Sequence, residues 1–131
     1  MSSQIIVYTD GSCAPTNPGK GGWAFVILDY KECEWQVSGG EKWSTNNRME
    51  LKAVISALEF AYNEDNFTIY SDSMYVINCA KGKWKRKKNT DMWEKYEKAS
   101  KNKKITWIWV KSHNGDKYNE IVDKLAKKET L

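Results

Sequence analysis

Four acidic residues, Asp10, Glu50, Asp72 and Asp123, stand where a fold could gather them. Asp10 follows the apolar run IIVYT (5–9), and Asp72 follows the short run FTIYS (67–71). If those runs are adjacent parallel strands, their ends bring both carboxylates to one edge of a sheet, a common place for ligand sites. Glu50 falls in the first turn of an amphipathic helix, one turn before Val54, so it can point toward the sheet. Asp123 lies in a final helix near Val122 and Leu125, off the centre of the apolar stripe. Each acid also has an ordinary structural use. Asp10 in TDGS reads as a turn residue, and Glu50 in Asn47-Arg48-Met49-Glu50 has capping-box spacing. Asp72 beside Ser73 can cap the next helix, and Asp123 reads equally as an exposed helix position. Spacing alone leaves both uses open.

The elements that must position these acids are legible from periodicity. Residues 5–9 are β-branched and apolar, 22–28 form a nearly continuous apolar run, and 33–38 alternate before Gly39-Gly40. Three strands in short succession suggest an antiparallel meander. From Asn46 the spacing changes: Leu51, Val54, Ile55, Leu58, Ala61 and Tyr62 recur at helical intervals. A strand over 67–71, helices over 74–80 and 91–100, a strand over 105–110 and a helix over 117–128 follow. Strands separated by helices imply parallel crossovers, hence an α/β mixed sheet flanked by helices. There is no internal repeat and no linker, so 1–131 reads as one domain.

Composition narrows the partners. No apolar run approaches the roughly 20 residues of a membrane span, and the N-terminus lacks the pattern of a signal peptide. The three cysteines, Cys13, Cys33 and Cys79, have neither zinc-knuckle spacing nor an even count, which suits reduced thiols. A soluble, cytoplasmic monomer is expected, with no membrane partner. The net charge is +4, but KGKWKRKK (81–88) concentrates six cations without an acid. Cations interrupted by a tryptophan suggest a polyanion.

Five segments carry a resemblance: YTDGSC (8–13), NP-G (17–19), TNNRMEL (45–51), YSDSMYV (70–76) and VKSHNGDKYNEIVDKLA (110–126). In this order, and across essentially the whole chain, they resemble the type 1 ribonuclease H family. The resemblance implies a ribonuclease H-like fold, a five-stranded mixed sheet with helices on both faces. It places the metal-binding carboxylates on Asp10, Glu50, Asp72 and Asp123 and a mobile catalytic histidine on His113. Clustered carboxylates repel one another unless cations bind among them, and hard oxygen donors select Mg2+, with Mn2+ able to substitute. Two ions roughly 4 Å apart can clamp an in-line phosphoryl transfer. The resemblance puts Asp10 between both ions, Asp123 with the water-activating ion, and Glu50 and Asp72 with the other. His113, the single histidine, sits in a polar loop where an imidazole near pKa 6.5 can move protons or aid product departure.

The implied substrate is an RNA–DNA hybrid. Positions that match 2′-hydroxyl readers are Cys13, Asn17, Asn46, Asn47 and Ser73. Asn46 or Asn47 can also cap the helix. Thr45 and Asn89 match a pocket for a DNA phosphate. Trp43 replaces an arginine often found beside that pocket, and Met74 stands where a glutamine is common. Relatives with a full basic protrusion carry an extra helix; here residues 81–88 alone fill the gap, with Lys85, Arg86, Lys87 and Lys88 placed to follow the backbone and Trp84 to pack against a sugar. No separate hybrid-binding domain is expected. The expected activity is endonucleolytic hydrolysis of the RNA strand, leaving 5′-phosphate and 3′-hydroxyl ends. The alternatives are a catalytically silent binding module of the same fold and an integrase-like relative acting on DNA; the NNRME stretch disfavours the latter.

Overall fold

The computed structural model describes residues 4–29, 33–111 and 115–131. In chain order the elements are β1 (Ile5–Ala14), β2 (Gly19–Leu28), β3 (Glu34–Ser44), α1 (Asn46–Phe60), β4 (Asn66–Ser71), α2 (Met74–Ala80), α3 (Thr90–Ser100), β5 (Lys104–Trp109) and α4 (Lys117–Lys128). The five strands form one sheet in the order β3-β2-β1-β4-β5. β2 is antiparallel to β1 and β3, whereas β4 is parallel to β1 and β5. This is the mixed sheet expected from the sequence.

Strand alternation assigns the two faces. Ile5 and Val7 join Phe25, Ile27, Phe67 and Ile69 under Leu51, Val54 and Leu58 of α1, Val76 of α2 and Trp93 of α3. Tyr8, Ala24 and Val26 point the other way and are covered by Val122 and Ala126 of α4. One face therefore carries three helices and the other carries α4. Among the described residues no helix is long and apolar enough to cross a membrane.

The first three strands run longer than their apolar runs suggest. β1 continues through Asp10-Gly11-Ser12 because β2 pairs with it throughout, from Ile6 opposite Leu28 to Ala14 opposite Lys20. Asp10 is thus a strand residue opposite Ala24, not a turn residue. β3 likewise passes through Gly39-Gly40, which pair with Trp23 and Gly22. The helix caps also differ from the expected ones. Thr45 caps α1, its Oγ1 accepting from Arg48 N at 3.2 Å, so neither Asn46, Asn47 nor Glu50 does so. Ser73 caps α2 in place of Asp72, accepting from Val76 N at 3.1 Å. Both acids are released from those structural duties.

Candidate active site

β1 and β4 pair in parallel up to Tyr8 opposite Tyr70. Asp10 and Asp72 each lie two residues beyond that last pair, where β1 and β4 part. Glu50 reaches the same point from α1, two residues further into the helix than its capping-box spacing implied, since the cap is Thr45 and not Asn47. It gets there because β1 and α1 nearly touch. A Cβ on Gly11 would lie 2.2 Å from the Met49 carbonyl carbon and 2.4 Å from Glu50 N, so only glycine permits the approach. One carboxylate oxygen from each of Asp10, Glu50 and Asp72 lies within 4.8 Å of the other two. Asp123 lines the same cavity, about 560 Å3 in volume, but stands outside that group of three. Its Oδ2 is 3.1 Å from Lys127 Nζ.

The electrostatics of the group are unfavourable without a cation. Burial pushes the Asp10 carboxyl up to about 7, and the charges of Asp72 and Asp123 push it the same way. A hydrogen bond with the Glu50 carboxyl pulls against them, and so does the Gly11 N–H, donating to Asp10 Oδ1 at 2.9 Å. Glu50 is also raised well above the usual carboxylate range, first by burial and then by the charges of Asp10 and Asp72. Among the described residues, Glu50 Oε1 is buried with no hydrogen-bond partner. Converging carboxylate oxygens, buried on Asp10 and Glu50 and unpartnered at Glu50 Oε1, fit a hard divalent cation. Asp10 holds its proton more tightly folded than unfolded, so the metal-free protein should lose stability as pH rises from 3.8 to about 7. The denaturant midpoint at about pH 5 should exceed that at about pH 8 in chelator, and Asp10→Asn should flatten the difference.

A family model described as RNase H matches residues 2–130. The chain belongs to the ribonuclease H family. It is 44% identical to the ribonuclease H of Neorickettsia sennetsu over 140 residues, covering 96% of this chain and 92% of that one. It is 44% identical to the ribonuclease HI of Helicobacter pylori over 134 residues, with the same coverages. Among solved structures, the N-terminal RNase H domain of a Mycobacterium tuberculosis protein superposes with a TM-score of 0.86 at 21% identity, covering 98% of this chain and 94% of that one. LC11-RNase H1 in complex with an RNA/DNA hybrid superposes with a TM-score of 0.79 at 25% identity, covering 97% and 99%.

In this ribonuclease H the cavity around the acids is also lined by Cys13, Asn46, Asn47 and Ser73, four of the five positions matched to 2′-hydroxyl readers. Asn17 does something else: its Oδ1 accepts from Asn46 N at 2.9 Å, while Asn46 Oδ1 accepts from Cys13 N at 2.7 Å. These bonds tie the β1–β2 loop to the start of α1. Met74 lines the cavity too, as do Gly11, Ser12 and Tyr75, which were unforeseen in the sequence. Arg48 is a further residue that sequence reasoning missed, although it stands inside NNRME. Its guanidinium donates to Asn89 Oδ1 at 3.2 Å and grips Asp91 with two bonds of 3.0 and 2.9 Å, holding the Asp91 carboxyl down near 2. Through Arg48 the cap of α1, Thr45, is linked to Asn89 at the start of α3. Asn89 Nδ2 donates to Tyr75 Oη at 3.0 Å, which fixes the amide.

The basic segment divides in two. Trp84 and Lys85 are exposed, with Trp84 at 49%. Arg86 instead packs its guanidinium 4.5 Å over Trp93, donates to Cys79 O at 3.0 Å and pairs with Glu97. It acts as a tie between the segment and α3. Trp43 is 70% exposed. His113 lies outside the described residues.

Proposed function

We propose that the chain is a magnesium-dependent endonuclease that hydrolyses the RNA strand of RNA–DNA hybrids, leaving 5′-phosphate and 3′-hydroxyl ends. The observation that carries this reading is the convergence within 4.8 Å of three carboxylates, buried Asp10 and Glu50 and half-buried Asp72, from β1, α1 and the end of β4. Family membership supports it, as does the likeness to a relative solved with a hybrid bound. Asp10, Glu50, Asp72 and Asp123 would hold two ions. Magnesium held there supplies an activated water and neutralises charge at the departing 3′ oxygen in an in-line displacement. Cys13, Asn46, Asn47 and Ser73 face the cavity with short polar groups suited to 2′-hydroxyls. Thr45 and Asn89 would hold a DNA phosphate, and His113 would carry protons during product departure. The chain acts as a ribonuclease H domain and a monomer, in a reducing cytoplasm.

The test is cleavage of a labelled RNA–DNA hybrid beside duplex DNA and duplex RNA, with magnesium or chelator. Cutting of the hybrid's RNA strand alone, dependent on magnesium, is expected. Cutting of duplex DNA would favour the integrase-like alternative, and binding without cutting would favour the silent module.

Substrate grip has its own expected result. Removing a cation that neutralises one phosphate lowers the slope of log affinity against log salt by about one. Lys85→Ala should do so without affecting stability. Arg86→Ala should instead cost about 1–2 kcal/mol of stability, because it removes the stack on Trp93. A salt slope unchanged by Lys85→Ala would remove the exposed part of the segment from the binding surface.

A further inference from the structure

Asp123 reaches the cavity with a counter-ion already attached. Lys127, one helical turn on, places Nζ 3.1 Å from Asp123 Oδ2, in the acid-before-lysine order that helices favour. The carboxylate oxygens of Asp10, Glu50 and Asp72 converge, while Asp123 stands at the cavity wall outside their group.

The helix beneath this pair has little freedom to move. A Cβ on Gly22 would lie 2.0 Å from Ala126 O, so the last turn of α4 rests directly on β2. Ser38 Oγ donates to Glu129 Oε2 at 3.3 Å, and Lys20 Nζ donates to the Leu131 carbonyl. Val122 and Ala126 are fully buried against the sheet. With the backbone held, Asp123 can change partner only by side-chain rotation. Lys127 is free to let go, since its side chain is 56% exposed against 23% for Asp123.

We propose that Lys127 is a built-in competitor for the Asp123 carboxylate: it holds Asp123 out of the acidic group until a divalent cation displaces it, and so lowers the cation affinity of that side of the site. This rests on the reading of Asp123 as a metal ligand. An ion pair this exposed is weak, so the competition amounts to about twofold to fivefold in affinity.

The test is titration of Mn2+ into the metal-free full chain, counting free ion by electron paramagnetic resonance, with no substrate present. Wild type is compared with Lys127→Met, Lys128→Met, Asp123→Asn and the Asp123→Asn/Lys127→Met double variant. Lys128→Met removes the same charge one residue away and serves as the control for the general field. Lys127→Met is expected to tighten Mn2+ binding about twofold to fivefold, more than Lys128→Met does, and to have no such effect when Asp123 is Asn. Equal effects of the two lysine variants, or weaker binding by Lys127→Met, would overturn the proposal. Unchanged Mn2+ binding by Asp123→Asn would instead overturn the underlying assignment of Asp123.

Discussion

Asp10→Asn should reduce hybrid cleavage on the order of a thousandfold or more while making the metal-free protein more stable. Asp10 is the acid on which all three of the others act. It is 6% exposed, its carboxyl is pushed up to about 7, and Glu50, Asp72 and Asp123 all surround it. The amide keeps the shape and can still accept from the Gly11 N–H, so the fold loses little. It removes a negative charge from a buried cluster, for a gain of about 2 kcal/mol above neutral pH. For a chain of this size that is roughly 6–10 °C in Tm. The same change should abolish stabilisation by magnesium, which in wild type arises because the ion binds only the folded state. Thermal melts of both proteins in chelator and in magnesium read both effects. A destabilised Asp10→Asn in chelator would mean that the carboxylate serves the fold rather than a cation.

Gly11→Ala should damage stability and catalysis together. Its Cβ would need about 1 Å of extra room from the backbone of Met49 and Glu50, which no side-chain rotation can supply. The expected cost is about 3 kcal/mol, since α1 must tilt away from β1. Glu50 moves with that turn, and a misplacement of about 1 Å at a reacting centre costs on the order of a hundredfold in rate. Circular dichroism and kinetics separate the two effects. A folded Gly11→Ala with normal kcat would show that Glu50 is not positioned through this approach of strand and helix.

The sequence disclosed the sheet edge that collects Asp10 and Asp72, because parallel strands joined through helices must present their carboxyl ends together. It was less informative where local and tertiary signals compete. Gly11 and Gly39-Gly40 look like turns in isolation, but in the sheet they let α1 approach and keep β3 paired. The capping-box spacing of Glu50 pointed to the helix end, yet Thr45 had already taken that role. Arg86 belonged to a run of equivalent cations until Trp93, Cys79 and Glu97, from other elements, claimed it. Such partners are tertiary facts, with no local signature. The pairing of Asp123 with Lys127 was readable from their four-residue spacing, but its consequence depends on where the packed α4 aims the carboxylate.

Crystals grown with Mn2+ and measured at the manganese edge test the central claim most directly. An anomalous peak should lie among the carboxylate oxygens of Asp10, Glu50 and Asp72, at about 2.2 Å from its ligands, and vanish in Asp10→Asn. Active enzyme in the same Mn2+ solution with no peak between those carboxylates would contradict it.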